Sequence, residues 1–256
     1  MKKIKKILNL KNKRKIVCLT SYSYNITSIL DKYCDIVLVG DSLANVLYGM
    51  DNTHNINLNT MIQHALSVKK KIRRSLFIID LPKGTYANPS IALKNSKYLM
   101  KKTGCHGVKI ESNKKNYNVI KRLTKAKIPV MGHIGYTPQS KNKFKIYGED
   151  AKGKKKLIKE ALKIENSGAF SIVLECISKK AAKNITKTLK IPTIGIGSSV
   201  FCDGQILVTD DIIGLSGFKP KFVKKYSDVY KLINSAVKRY SKDVKEKKFP
   251  TTKNTF

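Results

Sequence analysis

Acidic side chains are scarce in this sequence, and several of them occupy equivalent positions. The chain has 256 residues, with 17 Asp and Glu against 52 Lys and Arg. Asp41, Asp80 and Glu111 each stand at the end of a separate apolar run. Carboxylate oxygens, completed by water, suit hard divalent cations such as Mg²⁺. A fold that gathers the three run ends would therefore form one metal site. The competing interpretation is that each residue only caps the helix that follows.

Lys109 and Glu175 add a positive charge and a candidate base to this group. Lys109 lies two residues before Glu111, so both side chains point to the same face of a strand. A lysine among apolar residues needs an anionic partner from the site or the substrate. Burial of Glu175 would raise its pKa and make it a usable base near neutral pH. The alternatives are a surface lysine and a strand-end carboxylate paired with one of the many lysines. His133, in the matching position of another run, is expected to neighbour the substrate or the metal.

The elements that must position these residues are eight apolar runs that alternate with helical stretches. Most runs are continuous, which is typical of parallel strands covered on both faces. Eight units in 256 residues predict an α/β fold, a single (β/α)8 TIM barrel over residues 1–256. An open doubly wound sheet is disfavoured because no GxGxxG segment follows an early strand. In a barrel the carboxyl ends of the strands share one face, where the acidic residues would meet. The predicted strands are 15–22, 35–42, 75–82, 106–112, 128–135, 170–177, 191–199 and, more weakly, 211–217.

The remaining segments carry local expectations. Pro89 is expected near the start of a helix, and Gly104 and Gly168 are expected just after the ends of two others. A short basic extension precedes the barrel. Residues 141–156 are expected to form a mobile loop and residues 242–256 a loose polar tail.

The formal net charge of +35 raises the alternative of a nucleic-acid or membrane-surface binder. The basic residues are spread along the whole chain, however, and no nucleic-acid-binding motif accompanies them. We therefore expect neither a nucleic-acid nor a membrane partner. Five cysteines without a CxxC pair indicate free thiols in a reducing compartment. No apolar run has the length of a signal peptide or a membrane span, so a cytoplasmic protein is expected.

Short segments in a fixed order resemble the ketopantoate hydroxymethyltransferase family. They follow one another between about residues 15 and 226, and together they are far more specific than any one alone. The segments are Val37–Leu43 (VLVGDSL), Asp80–Pro82 (DLP), Val108–Glu111 (VKIE), Gly132–Gln139 (GHIGYTPQ), Leu174–Cys176 (LEC), Ile194–Gly197 (IGIG) and Asp203–Val208 (DGQILV).

This resemblance implies a barrel of the phosphoenolpyruvate/pyruvate type and a one-carbon transfer. Members of the family move a hydroxymethyl group from 5,10-methylenetetrahydrofolate to 3-methyl-2-oxobutanoate, which forms 2-dehydropantoate for pantothenate synthesis. They tend to form homo-oligomers, often decamers.

The resemblance also implies roles for particular residues. Asp41 and Asp80 would contact Mg²⁺, and Glu111 would belong to the same metal site. Glu175 would be the proton acceptor. The oxo acid would be contacted by Asp41, Ser42, Asp80 and Lys109.

Three positions depart from the family pattern. Ser23 replaces a usual acidic residue after the first strand, Tyr147 replaces a usual Gln after the fifth, and Thr209–Asp211 differs near the eighth. Three alternatives stay open at this stage: another metal-dependent 2-oxo acid lyase or aldolase of the same barrel type, an inactive barrel, and a basic nucleic-acid-binding protein.

Overall fold

Eight parallel strands close into a barrel, as the sequence predicts. The computed structural model describes residues 2–112, 116–140, 144–218 and 220–256. The strands pair in chain order, and the eighth pairs with the first. Several strands are buried along their full length, which explains their continuous apolar sequences. The strands are β1 (Ile16–Thr20), β2 (Ile36–Val39), β3 (Leu76–Asp80), β4 (Gly107–Glu111), β5 (Val130–Gly135), β6 (Ser171–Glu175), β7 (Thr193–Ile196) and β8 (Gly204–Leu207).

Helices connect most of the strands, and their ends follow the local sequence signals. The predicted helix start at Pro89 is confirmed: the Asn88 side chain caps this helix by accepting from the Ser90 and Ile91 N–H groups. Gly104 follows in the left-handed conformation, at φ 64°, and Gly168 has φ 91°. The helices are α1 (Lys2–Leu8), α2 (Tyr24–Tyr33), α3 (Leu43–Val46), α4 (Leu58–Lys69), α5 (Pro89–Thr103), α6 (Tyr117–Lys125), α7 (Ala151–Asn166), α8 (Lys179–Thr188), α9 (Thr209–Ile212) and α10 (Val229–Lys245).

The basic N-terminal extension is helical and covers the amino end of the barrel. Lys2, Lys5 and Lys6 are exposed, whereas Ile4 and Ile7 are 7% and 2% exposed and join the apolar interior of the barrel. Each such isoleucine contributes roughly 1.5–3 kcal/mol by leaving water. Lys3 Nζ donates to the carbonyl oxygens of Arg73 and Ser75, at 2.8 and 2.9 Å. The amino end of the barrel is therefore closed by apolar packing.

The prediction of the eighth strand was wrong. The strand is Gly204–Leu207, and the segment 211–217 begins inside α9 and continues as turns. β8 has only four residues, one of them exposed, so it lacks the continuous apolar run that marks the other strands. Gly204 packs so closely that an added Cβ would lie 2.5 Å from the Ile16 carbonyl oxygen.

Two predicted loop segments were also partly wrong. α7 begins at Ala151, where Asp150 accepts from the Gly153 N–H at 3.0 Å, so the end of the predicted 141–156 loop is helical. Residues 141–143 of that loop lie outside the described residues. The predicted loose tail likewise begins inside α10, which ends at Lys245.

The chain forms two compact units, Met1–Val208 and Thr209–Phe256. The first contains the complete barrel. The second contains α9 and α10, and α10 exposes an apolar stripe at heptad spacing. The assignment of residues 1–256 to one domain stays a prediction. None of the helices described is both long enough and apolar enough to cross a membrane. The stripe consists of Tyr230, Ile233, Val237, Tyr240 and Val244.

Candidate active site

Three acidic residues meet at the carboxyl end of the barrel, where the sequence predicts them. Asp80 and Glu111 are the last residues of β3 and β4, and Asp41 lies two residues beyond β2. Their side chains are buried, with the residues 6% (Asp41), 2% (Asp80) and 4% (Glu111) exposed. Asp41, Asp80 and Glu111 are called the acidic cluster below. Burial of three carboxylates in one region is costly and needs compensating charge or hydrogen bonds.

Lys109 supplies one compensating charge. Its Nζ donates to Asp80 Oδ1 at 2.6 Å, and Asp80 Oδ2 accepts from the Asp41 N–H at 3.1 Å. The residue is 8% exposed, which is inconsistent with an ordinary surface lysine. Burial acts to lower the pKa of Lys109, but the charges of Asp80 and Asp41 outweigh burial and raise it. Lys109 is therefore a permanently charged group at the site.

Gln139 joins the other two members of the acidic cluster. Its side-chain Nε2 donates to Asp41 Oδ2 at 2.8 Å, and its backbone N–H donates to Glu111 Oε1 at 2.9 Å. The residue lies beyond β5 in the segment Gly132–Gln139 and is 4% exposed. The sequence analysis missed Gln139 as an individual residue, although the motif that contains it was recognised.

The acidic cluster carries more negative charge than its surroundings compensate. Burial raises the pKa of Asp80 to about 7, with the charge of Asp41 adding to the effect and Lys109 opposing it. Burial and the charge of Asp41 raise the pKa of Glu111 to about 8. Both shifts show that the ionised carboxylates are unfavourable in this environment. A bound cation would reverse that balance.

The described residues include no group of three or more His, Cys, Asp or Glu arranged to hold a metal ion by themselves. Mg²⁺ does not require such a group, because in proteins it usually binds one or two carboxylates and completes its shell with water and substrate oxygens. Buried oxygen ligands with uncompensated negative charge therefore fit a magnesium ion with a partial protein shell. The described ranges present no soft thiolate among these contacts, since the five cysteines are buried elsewhere in the fold.

Glu175 lies at the end of β6, beside the partner strand that carries His133. His133 Nε2 is 3.0 Å from Glu175 Oε2, and the Glu175 side chain is 13% exposed. Burial and the charge of Asp41 raise the pKa of Glu175 to about 8, against the opposing charge of Lys109. A carboxyl group with this pKa can accept a proton near neutral pH.

Ser42 lies beside Asp41, and a tyrosine that the sequence analysis missed holds it in place. Tyr22 Oη is 2.8 Å from Ser42 Oγ. Gly40 makes room for this contact, because a Cβ there would lie 2.9 Å from Ser42 Oγ. The sequence signal for Tyr22 was only its position at the end of the first predicted strand.

Residues at the three departures from the family pattern have hydrogen bonds of their own. The Ser23 carbonyl oxygen accepts from Thr27 Oγ1 at 2.6 Å at the start of α2. The Tyr147 N–H donates to the Cys176 carbonyl oxygen at 2.8 Å, which joins the segment after β5 to the residue that follows Glu175. Asp211, in the C-terminal unit, accepts from Ser216 Oγ at 2.5 Å.

Comparison with known proteins shows the same similarity along nearly the whole chain. Residues 1–252 match the family model described as ketopantoate hydroxymethyltransferase. A 3-methyl-2-oxobutanoate hydroxymethyltransferase from Pelagibacter ubique is 51% identical, over 98% of this chain and 99% of that protein. A protein of the same name from Thermosipho africanus is 45% identical, over 99% of this chain and 97% of that protein.

Solved structures support the fold at much lower sequence identity. 2,3-Dimethylmalate lyase, a member of the PEP mutase/isocitrate lyase superfamily, aligns with a TM-score of 0.63 at 12% identity, over 99% of this chain and 92% of that one. Phosphonopyruvate hydrolase in complex with oxalate and Mg²⁺ aligns with a TM-score of 0.61 at 10% identity, over 99% of this chain and 93% of that one. These two alignments establish the barrel type, and the much higher identities above establish the family. The chain belongs to the ketopantoate hydroxymethyltransferase family.

Proposed function

We propose that this chain transfers a hydroxymethyl group from 5,10-methylenetetrahydrofolate to 3-methyl-2-oxobutanoate and forms 2-dehydropantoate for pantothenate synthesis. The observation that carries the proposal is the arrangement at one end of the barrel. A buried acidic cluster in contact with Lys109 lies in the same region as Glu175, a partly exposed glutamate whose pKa is raised to about 8. The family relationship supplies the identity of the substrates.

The proposed metal is one Mg²⁺, held by Asp41 and Asp80 with Glu111 in the same site. The raised pKa values of Asp80 and Glu111 support this, because they show buried carboxylates without enough positive charge around them. When bound, Mg²⁺ acts as a Lewis acid toward the oxygens of a 2-oxo acid. Gln139 and Lys109 orient the carboxylates that would receive the metal.

The oxo acid is proposed to contact Asp41, Ser42, Asp80 and Lys109. Lys109 presents a fixed positive charge, as its 2.6 Å contact to Asp80 shows. Such a charge stabilises the negative charge that develops on the substrate oxygen during enolisation. Ser42 offers a hydroxyl group whose position is set by Tyr22. The proposed substrate contacts thus combine the positive charge of Lys109 with the oriented hydroxyl group of Ser42.

Glu175 is the proposed proton acceptor. It takes the proton from C3 of the oxo acid, and the electron pair of that C–H bond moves into the enolate. His133, 3.0 Å away, fixes the direction of the carboxylate. Water hydrolyses the methylene group of the folate, which breaks both C–N bonds and releases formaldehyde and tetrahydrofolate. The nucleophilic C3 then attacks the formaldehyde carbon, and the resulting alkoxide takes the proton held by Glu175 to give the hydroxymethyl product. A base with a pKa near 8 is well matched to a weak carbon acid.

The proposed assembly is a homo-oligomer, with a decamer as the family precedent. The C-terminal unit supports self-association. α10 has no buried residue, and Tyr230, Ile233, Val237 and Tyr240 on one side of it are 49% to 63% exposed. Exposed apolar stripes of this length usually mark protein–protein contacts.

A lyase of the same barrel type would use a similar acidic cluster. The solved lyase and hydrolase structures share only 10–12% identity with this chain, so they bear on the fold alone. The 45–51% identity to named hydroxymethyltransferases favours the one-carbon transfer.

The test is product formation from both substrates. Purified chain is incubated with Mg²⁺, 3-methyl-2-oxobutanoate and 5,10-methylenetetrahydrofolate labelled with ¹³C at the methylene carbon. We expect ¹³C in the hydroxymethyl group of 2-dehydropantoate, detected by NMR. Labelled product should be lost with EDTA. Cleavage of the oxo acid without incorporation of label would instead support the lyase alternative.

A further inference from the structure

Gln139 uses every hydrogen-bonding group of its side chain inside the protein. Its Nε2 donates to Asp41 Oδ2 at 2.8 Å and to the Leu81 carbonyl oxygen at 3.0 Å. Its Oε1 accepts from Tyr86 Oη at 2.5 Å. An amide with two donors and one carbonyl oxygen so engaged has little left for the substrate. Its position instead suits a residue that acts through its neighbours.

Two acceptors determine which way the Gln139 amide faces. In the opposite orientation the amide oxygen would face Asp41 Oδ2 and the Leu81 carbonyl oxygen, so three acceptors would meet without a donor. The Tyr86 phenol donates to the amide oxygen and so strengthens the observed orientation.

Gln139 thereby holds one oxygen of each of two carboxylates. Asp41 Oδ2 receives the side-chain amide and Glu111 Oε1 receives the backbone N–H, at 2.8 and 2.9 Å. Among the described residues, the contact of Glu111 Oε2 is a long one of 3.5 Å to Ser140 Oγ. Asp80, by contrast, has donors on both oxygens, from Lys109 and the Asp41 N–H. Among the described residues, the second oxygens of Asp41 and Glu111 thus carry no short hydrogen bond and can join Asp80 in contacting a cation.

We infer that Gln139 is a positioning residue that orients Asp41 and Glu111 for a divalent cation, and that Tyr86 helps to hold its amide in place. The inference rests on the proposed magnesium site and deepens it. Gln139, in the segment after β5, would influence cation affinity without contacting the metal itself. Mutation of a residue that orients metal ligands typically weakens metal binding about 10–100-fold.

The experiment measures cation binding to the metal-free chain without substrate. Free Mn²⁺ is followed by electron paramagnetic resonance, and Mg²⁺ is then titrated in competition. Gln139→Leu removes the side-chain hydrogen bonds but keeps a side chain of similar width. We expect this variant to bind Mn²⁺ roughly 10–100-fold more weakly than wild type.

Gln205→Leu is the matched control. The Gln205 amide donates to the Ser199 carbonyl oxygen at 2.8 Å and, within the part of the chain that the structure describes, has no hydrogen bond to the acidic cluster. Its removal should leave Mn²⁺ affinity within twofold of wild type. Thermal unfolding of both variants, followed by circular dichroism, shows whether each is folded.

Tyr86→Phe gives an independent readout if Gln139→Leu does not fold. It deletes one hydroxyl group and leaves Gln139 in place. We expect Mn²⁺ affinity to fall about fivefold, because the Gln139 amide oxygen loses its hydrogen bond from the Tyr86 hydroxyl group.

Two results would count against the inference, and they can be told apart. Folded Gln139→Leu and Tyr86→Phe with wild-type Mn²⁺ affinity would overturn the role of Gln139 alone. Wild-type chain that binds neither Mn²⁺ nor Mg²⁺ would overturn the magnesium site itself, and the inference with it.

Discussion

Buried acidic residues at the two ends of the barrel are in opposite electrostatic states. At the amino end, Asp31 accepts hydrogen bonds from the backbone N–H groups of Arg73, Arg74 and Ser75, at 2.9, 3.0 and 2.9 Å. Burial acts to raise the pKa of Asp31, but these hydrogen bonds outweigh burial and hold the pKa below its ordinary value. The ionised form of Asp31 therefore stabilises the fold.

At the carboxyl end, ionisation is unfavourable. The pKa of Asp80 is raised to about 7 and that of Glu111 to about 8, because burial and the charge of Asp41 outweigh the available donors. The same chain can therefore supply a buried carboxylate with enough hydrogen-bond donors, as it does for Asp31. Compared with Asp31, the acidic cluster therefore lacks enough compensating positive charge, as expected for a site that receives a cation.

The largest expected effect comes from removing Lys109, the buried cation that contacts the acidic cluster among the described residues. Lys109→Met should reduce kcat/KM for hydroxymethyl transfer about 10²–10³-fold, because a fixed charge near the developing enolate is lost. Lys94→Met, on an exposed position of α5, is the matched control and should leave kcat/KM unchanged. A loss of less than tenfold in Lys109→Met would show that the charge at this end does not serve the reaction.

A second expectation concerns pH and metal together. Asp80 and Glu111 have folded-state pKa values above their ordinary range, so between pH of about 4 and 8 the folded chain binds more protons than the unfolded chain. In EDTA, the contribution of these two groups to the free energy of unfolding should therefore fall as the pH rises through that window. Mg²⁺ at 100 times its Kd should add about 2.7 kcal/mol, most clearly near pH 8.

Urea unfolding across this pH range, with EDTA or Mg²⁺, checks the expectation. Asp80→Asn should bind Mg²⁺ weakly and show little stabilisation by it. Wild-type unfolding midpoints that do not change with Mg²⁺ at pH 8 would show that the acidic cluster, like Asp31, is not a cation site.

The smallest expected effect lies at the amino end. The pKa of Asp31 is lowered, so its contribution is present above the ordinary Asp pKa of about 4 and is lost as pH falls through the folded-state value. Asp31→Asn should lower the free energy of unfolding at pH 7 by about 1.5 kcal/mol, with kcat/KM unchanged. Asp51→Asn, at an exposed position, is the control. Equal unfolding midpoints for wild type and Asp31→Asn at pH 7 would contradict the proposed contrast.

Much of the barrel could be predicted because parallel strands leave a strong sequence signal. Seven strands are apolar runs, and the helix start at Pro89 follows a local rule. β8 could not be found this way, because Gly204–Leu207 is short and partly exposed. The covering role of α1 was hidden as well. Its sequence is dominated by lysine, and only Ile4 and Ile7 reveal the buried face.

The candidate site was predictable to the extent that its residues are unusual in this chain. Asp41, Asp80 and Glu111 stood out because acidic residues are scarce and these lie at strand ends. Gln139 and Tyr86 did not stand out, because amides and phenols are common. Their roles arise from hydrogen bonds between residues 98 and 53 positions apart in the sequence, which no local pattern encodes.

Glu175 is proposed to remove the C3 proton of an oxo acid bound beside the acidic cluster. The most direct test is exchange of the C3 hydrogen of 3-methyl-2-oxobutanoate for deuterium in D₂O, without folate, in Mg²⁺ or EDTA. Wild type should catalyse exchange only with Mg²⁺, at a rate that rises with pH because Glu175 must be deprotonated, and Glu149→Gln, at an exposed position, should match it. Exchange should disappear in folded Glu175→Gln, whereas undiminished exchange in that variant would contradict the assignment of the base.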